Sequence, residues 1–220
     1  MTRPIVRLLG IAGLTGLVAS FTLGAATLPG PTVDESRSEK KTESVVLAGG
    51  CFWGVQAVFS ALKGVTSAVS GYAGGSKANA HYEIVSTGTT GHAESVEVTF
   101  DPTQISFGQL LKIYFSVAHD PTELNRQGPD SGTQYRSEIF YTSDEQKHIA
   151  EAYIQQLDAA NVFRTRIVTK VAPLQAFYRA EEYHQDYVLH NPHQPYVAYN
   201  DLPKLTNLRA EFPDLCKGGK

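Results

Sequence analysis

The stretch that most constrains this chain is a short apolar run that changes period at a pair of glycines. Ser44-Val45-Val46-Leu47-Ala48 has the length and continuous apolarity of a buried strand. Gly49-Gly50 interrupts it. Beyond Cys51, the apolar residues Phe52, Val55, Val58, Phe59 and Leu62 fall at helical spacing, and Gly64 is placed to end the helix. A buried strand leading straight into an amphipathic helix calls for a sheet with helices layered on it.

The rest of the pattern extends that beginning. Residues 65–72 read as a strand closed by Gly74-Gly75, and a polar, glycine-rich loop follows as far as Gly91. Val96, Val98 and Phe100 alternate with Glu97 and Thr99, as in a half-buried strand. Ser106 with Gln109 makes a capping box ahead of the stripe Phe107, Leu110, Leu111, Tyr114 and Phe115. After a Gly/Pro/Asp loop to about Thr133, residues 135–141 read as a strand. Ser143 with Gln146 opens a third helix that ends near Asn161, and residues 166–171 read as a last strand. The first six elements suit an α+β fold, a ferredoxin-like two-layer α/β sandwich with helices on one face of a mixed sheet and extra C-terminal elements. Neither an internal repeat nor a second domain is visible.

Arg3 and Arg7 precede an uncharged apolar stretch over residues 8–26, the form of a secretory signal with cleavage after Ser20, Ala25 or Ala26. The stretch is also long enough to stay as a single membrane anchor. Either way the folded part is expected outside the cytoplasm, periplasmic or extracellular. Residues 27–44, rich in Pro, Ser, Lys and Glu, read as a flexible linker. Residues 45–205 form the domain and 206–220 a C-terminal tail. With a net charge of -3 and scattered basic residues, nucleic acid is not an expected partner. A monomer is expected.

The two cysteines, Cys51 and Cys216, exclude a disulfide-stapled scaffold and leave open one plain bridge. The surroundings of Cys51 argue for chemistry instead. Free amides at a helix start, with the helix dipole, stabilise a thiolate and lower the thiol pKa. Phe52 and Trp53, the only tryptophan, can wall a pocket for a methyl-sized apolar group. A Cys in a strand-to-helix turn is more often a core residue, but a core position does not need glycines on both sides and an indole beside it. Glu94 shares strand parity with Val96, Val98 and Phe100. Facing the core, it would keep its proton and serve as a general acid; at the strand's first residue it would simply reach solvent. The loop of residues 126–136 is dense in donors and acceptors, and Tyr82 is either an exposed phenol or a hydroxyl placed in a site.

Together these residues resemble the A-type peptide-methionine (S)-S-oxide reductases, over residues 45–205. The resemblance rests on Gly50-Cys51-Phe52-Trp53-Gly54, Gly91-His92-Ala93-Glu94, His119-Asp120-Pro121-Thr122, the run from Gly128 through Ser137, and Tyr183-His184-Gln185. It implies that Cys51 attacks a sulfoxide sulfur while Glu94 protonates the departing oxygen, aided by Tyr82 and Tyr135, with Asp130 supporting the polar site. Phe52 and Trp53 would hold the S-methyl group. Methionine leaves and Cys51 becomes a sulfenic acid. The family acts on the S epimer, free or protein-bound, without metal or organic cofactor. A thioredoxin-like reductant is the implied recycling partner. Some members carry a resolving cysteine near the C-terminus, and Cys216 is expected in that role; its rival is a packed last segment with Phe212, Pro213 and Leu215, in which Cys216 is incidental.

Three other functions compete. A thiol-disulfide oxidoreductase is disfavoured because Cys51 has no Cys-x-x-Cys partner. A cysteine hydrolase would draw its base from His92, His119 or His184, with Asp120 as orienter. A binding module would use the aromatic pocket alone. Zinc is disfavoured, since His92-x-Glu94 does not match ligand spacings.

Overall fold

The computed structural model describes residues 27–35 and 42–218; the expected signal or anchor of residues 1–26 lies outside the described residues. Among those described, no helix is long and apolar enough to cross a membrane. The chain runs β1 (Glu43–Gly49), α1 (Phe52–Ser60), β2 (Val65–Ala73), α2 (Tyr82–Val85), β3 (Ala93–Phe100), α3 (Phe107–Ile113), β4 (Arg126–Gln127), β5 (Asp130–Ser131), β6 (Ser137–Tyr141), α4 (Asp144–Ala159), β7 (Lys170–Pro173), β8 (Phe177–Arg179), α5 (Tyr187–His190) and α6 (Leu202–Glu211). Six strands form one sheet in the order β7-β6-β1-β3-β2-β8, and β4 pairs with β5 in a separate hairpin. Pairing in the sheet is antiparallel except between β6 and β7. The fold is therefore α+β with a mixed sheet.

The continuous apolarity of β1 has a plain cause: both of its faces are covered. Val45 and Leu47 stand opposite Val98 and Val96. They join Val55, Val58 and Phe59 of α1, Leu110 and Leu111 of α3 and Ile149 of α4 in the main core. Val46 and Ala48 face the other way, in a smaller cluster with Ala73, Ala93 and Phe140 against which Leu174 and Phe177 pack. The end of β1 is fixed from below. The Tyr114 phenol donates to the Ala48 carbonyl at 2.6 Å, and His119 spans the Tyr114 carbonyl and the Ser137 hydroxyl at 3.1 and 2.7 Å.

The capping box at Ser106 and Gln109 forms as its residues require, and the Ser143 hydroxyl accepts the Gln146 amide at 3.2 Å. Three local expectations are corrected. The strand expected over 166–171 begins at Lys170, because the Ile167 and Val168 amides bond instead to the Asp158 carboxylate and the Pro121 carbonyl, and it is followed by a further strand, β8. Residues 27–35 of the expected linker are not free. The Tyr153 phenol donates to the Pro29 carbonyl at 2.7 Å, and Asp34 and Glu35 accept the Gly108 and Phe107 amides at 2.8 Å each, capping α3. The expected tail is largely structured as well. α6 runs across position 205 and buries Leu208, and Cys216 forms a bridge with Leu62.

Candidate active site

The site begins with the turn after β1. Gly50 has φ +85°, and a Cβ there would lie 2.5 Å from the Gln127 side chain, so both conformation and space favour glycine. This turn places Cys51 as the N-cap of α1, 8% exposed. The Phe52 amide donates to Glu94 Oε2 at 3.1 Å, so the first turn of α1 points one free N–H at the carboxyl of β3.

Glu94 faces the core side, opposite Tyr72 in the β2–β3 register, and is 2% exposed. Of the two positions read from the sequence, core-facing or reaching solvent, the side chain takes the core-facing one. Burial pushes its pKa up to about 8; the Phe52 N–H pulls down against this, and Asp130 pushes up. The group therefore keeps its proton at neutral pH. The Cys51 thiol corrects the sequence expectation of a lowered pKa. Burial, then the acidic side chains of Glu94 and Asp201, push it well up, against the Trp53 backbone N–H and Lys204, which pull it down. Loss of solvent outweighs the amides at the helix start.

Glu181 ties α2 to the sheet, accepting the Tyr82 amide at 3.0 Å and the Tyr72 phenol at 2.8 Å. Burial raises the pKa of both Tyr82 and Tyr135, with Glu94 adding to each, so both phenols remain proton donors. Cys51, Phe52, Trp53, Tyr82, Glu94, Asp130 and Tyr135 all line one cavity of about 230 Å³. Gln194 and Tyr196 complete its wall, and the Tyr196 phenol donates to the Asp130 carboxylate. A larger groove of about 440 Å³ shares Trp53 but neither Cys51 nor Glu94, so size alone does not locate the chemistry.

Cys216 is not brought to this cavity. It bridges Leu62, beyond the far end of α1, whereas Cys51 stands at its start. A helix rise of ~1.5 Å per residue over that span separates the two by roughly 15 Å, against Cα distances of about 4.4–6.8 Å in a disulfide. Among the described residues, no histidine lines the 230 Å³ cavity either. His119 is pushed down to about 3 by burial and is a neutral core residue. His92 Nε2 lies 2.9 Å from the Ser76 carbonyl, and His184 Nδ1 accepts the Trp53 indole N–H at 3.1 Å. None of the three histidines is thus placed in that cavity as the base a cysteine hydrolase would use.

A model of the family "Peptide methionine sulfoxide reductase" matches residues 43–215. The peptide methionine sulfoxide reductase MsrA 2 of Mesorhizobium japonicum is 58% identical over 82% of this chain and 93% of its own. That of Synechocystis sp. is 50% identical over 93% and 98%. The chain belongs to the peptide methionine sulfoxide reductase family. Among solved structures, methionine sulfoxide reductase A of Corynebacterium diphtheriae is 38% identical, with a TM-score of 0.60 over 73% of this chain and 81% of that one. Reduced Mxr1 from Saccharomyces cerevisiae is 33% identical, with a TM-score of 0.63 over 72% and 91%.

As an enzyme of this family it reduces methionine sulfoxide, and its cavity contains residues that local sequence patterns miss. Tyr196 reaches Asp130 from 66 residues away. Trp53 is held by three partners: His184 on its N–H, Tyr187 stacked at 3.7 Å, and Tyr196 edge-on at 5.8 Å. The Tyr183-His184-Gln185 run was the available signal for His184. Nothing local distinguishes Tyr187 or Tyr196 among eleven tyrosines.

Proposed function

We propose that the reductase acts on the S epimer of methionine sulfoxide with Cys51 as nucleophile and Glu94 as proton donor. The observation that carries this reading is a thiol and a buried carboxyl group in one aromatic-walled cavity. The Cys51 thiolate attacks the sulfoxide sulfur as Glu94 delivers its proton to the sulfoxide oxygen. The hydroxyl then passes to the Cys51 sulfur as its bond to the substrate sulfur breaks, so methionine leaves and Cys51 becomes a sulfenic acid. The proton lost by the thiol balances the one given by Glu94. Tyr82 and Tyr135 donate hydrogen bonds to the oxygen while negative charge gathers on it. Phe52 and Trp53 enclose the S-methyl group, and Asp130 with Tyr196 offers polar contacts to the rest of the residue.

Recycling consumes two external thiols: one forms a mixed disulfide with Cys51 and releases water, and the second displaces it. A thioredoxin-like protein fits that demand. Cys216 takes part as a resolving thiol only if the segment around it leaves α1. The order β6-β1-β3-β2, with crossovers through α1 and α3, supports a ferredoxin-like central unit. Export rests on the basic start and apolar stretch of residues 1–26, and a monomeric state is proposed beside it.

The test is turnover of methionine S-sulfoxide and R-sulfoxide with dithiothreitol by the wild type and Cys51→Ser. Turnover of the S epimer alone, abolished in the variant, is expected. Equal turnover of both epimers, or a surviving activity in the variant, would refute the proposal.

A further inference from the structure

Cys51 lines a second, smaller cavity of about 120 Å³, and Lys204 lines it too. Lys204 enters from the first turn of α6. Its side chain is 17% exposed, and its ammonium lies 3.5 Å from Asp201 Oδ1. That carboxylate is wholly buried, and its other oxygen has no hydrogen-bond partner among the described residues. A π turn, Val197–Asp201, delivers Asp201 to this position just ahead of α6. Both groups press on the first turn of the nucleophile's helix: a Cβ at Gly54 would stand 2.2 Å from Asp201 Oδ1 and 2.7 Å from Lys204 Nζ. Gly54 is three residues on from Cys51, one helical turn away.

The groups facing Cys51 are therefore unequal in sign. Glu94 faces it from β3, Asp130 from β5, Asp201 from the π turn, and the phenols of Tyr82, Tyr135 and Tyr196 close the cavity. All of these are neutral or negative. Lys204 is the cation among them, and its charge lowers the thiol pKa while that of Asp201 raises it. A thiolate in such surroundings needs a counter-charge, and burial strengthens whichever one is present.

We propose that Lys204 is the counter-cation of the Cys51 thiolate and that Asp201 offsets it from the same turn, the pair setting how much thiolate the site holds. Lys204 is thus a positioning residue that acts through the nucleophile. The inference rests on Cys51 being that nucleophile, a reading tested separately by Cys51→Ser.

The deciding experiment follows alkylation of Cys51 by iodoacetamide against pH in the full chain, with the modified site identified by mass spectrometry so that Cys216 does not contribute. In Lys204→Met, the midpoint should move to higher pH, and alkylation at pH 7 should fall roughly tenfold per pH unit of that move. Lys204→Arg should restore the wild-type profile. Asp201→Asn should move the midpoint the opposite way, to lower pH. A purely structural pair would move both midpoints in the same direction or neither, and that result overturns the proposal. Should Lys204→Met fail to fold, the Asp201→Asn midpoint decides alone: a downward move supports the pair, and an unchanged or upward one overturns it. If Cys51→Ser keeps full activity, the nucleophile assignment itself has failed, whatever the alkylation profiles show.

Discussion

As the proposed proton donor, Glu94 would serve the reaction through the same burial that makes it costly to the fold. Buried at 2% exposure, its carboxyl is pushed up to about 8, so the protein holds a proton there that an unfolded chain releases near pH 4.5. Between those values the native state binds more protons than the unfolded state, and stability contributed by this group falls as pH rises through the window. The acid function follows the same curve, since a donor must be protonated. With the thiol pKa lying above that of the acid, the product of thiolate and protonated Glu94 rises with pH only as far as the acid's pKa, so kcat/KM should climb and level off at about pH 8 in the wild type. Glu94→Gln should lower kcat by about 10²–10⁴ and remove the levelling-off, leaving a rate that climbs on with thiolate content. Because Gln cannot ionise and its amide oxygen can still accept the Phe52 N–H, the variant should melt at higher temperature than wild type at pH 8. That advantage should vanish below about pH 4.5. Melting curves at the two pH values measure this, and a variant less stable than wild type at pH 8 would contradict the burial argument.

Helix α1 shows how the surroundings of an element override its propensity. In an exposed helix, Gly→Ala gains about 1 kcal/mol. At Gly54 the new methyl would lie 2.2 Å from the wholly buried Asp201 carboxylate, so Gly54→Ala should destabilise the enzyme, by about 1–3 kcal/mol, in urea unfolding. The same contrast between local pattern and distant contact explains what the sequence made legible. β1, β2, β3 and β6 and helices α1, α3 and α4 carry their own period, because each lays an apolar face on one core. Cys51 and Glu94 were legible for equally local reasons, glycine context and strand parity. The stretch after residue 176 was not. β8 and α5 have three and four residues, α6 buries Leu208 alone, and a π turn throws Asp201 off helical spacing. Docked carboxylates at Asp34 and Glu35 look, in composition, like any solvated linker; only their bonds to the start of α3 tell them apart.

At the scale of the whole molecule, one thiol stands at the start of α1 and the other beyond its end. The segment around Cys216 is held by bonds that have nothing to do with sulfur. Lys63 donates its amide to the Leu215 carbonyl at 2.7 Å, and Lys217 donates its amide to the Ala61 carbonyl at 2.8 Å. The Lys217 ammonium reaches the Ser60 and Val65 carbonyls at 2.8 and 3.0 Å. Cys216 Sγ itself lies 3.3 Å from the Phe212 carbonyl. For the two cysteines to join, these contacts must break together, and that keeps Cys216 away from a sulfenic acid on Cys51 within a single turnover. One equivalent of methionine S-sulfoxide, given without reductant, should therefore leave one of the two thiols titratable and a sulfenic acid on Cys51 that dimedone captures. Cys216→Ser should turn over at the wild-type rate with a thioredoxin-like reductant. Loss of both thiols in the single turnover, with a Cys51–Cys216 disulfide in the peptide map, would show instead that the segment undocks within the catalytic cycle. In that case weakening the clamp through Lys217→Ala should speed disulfide formation, because the residue's role would be to time the release.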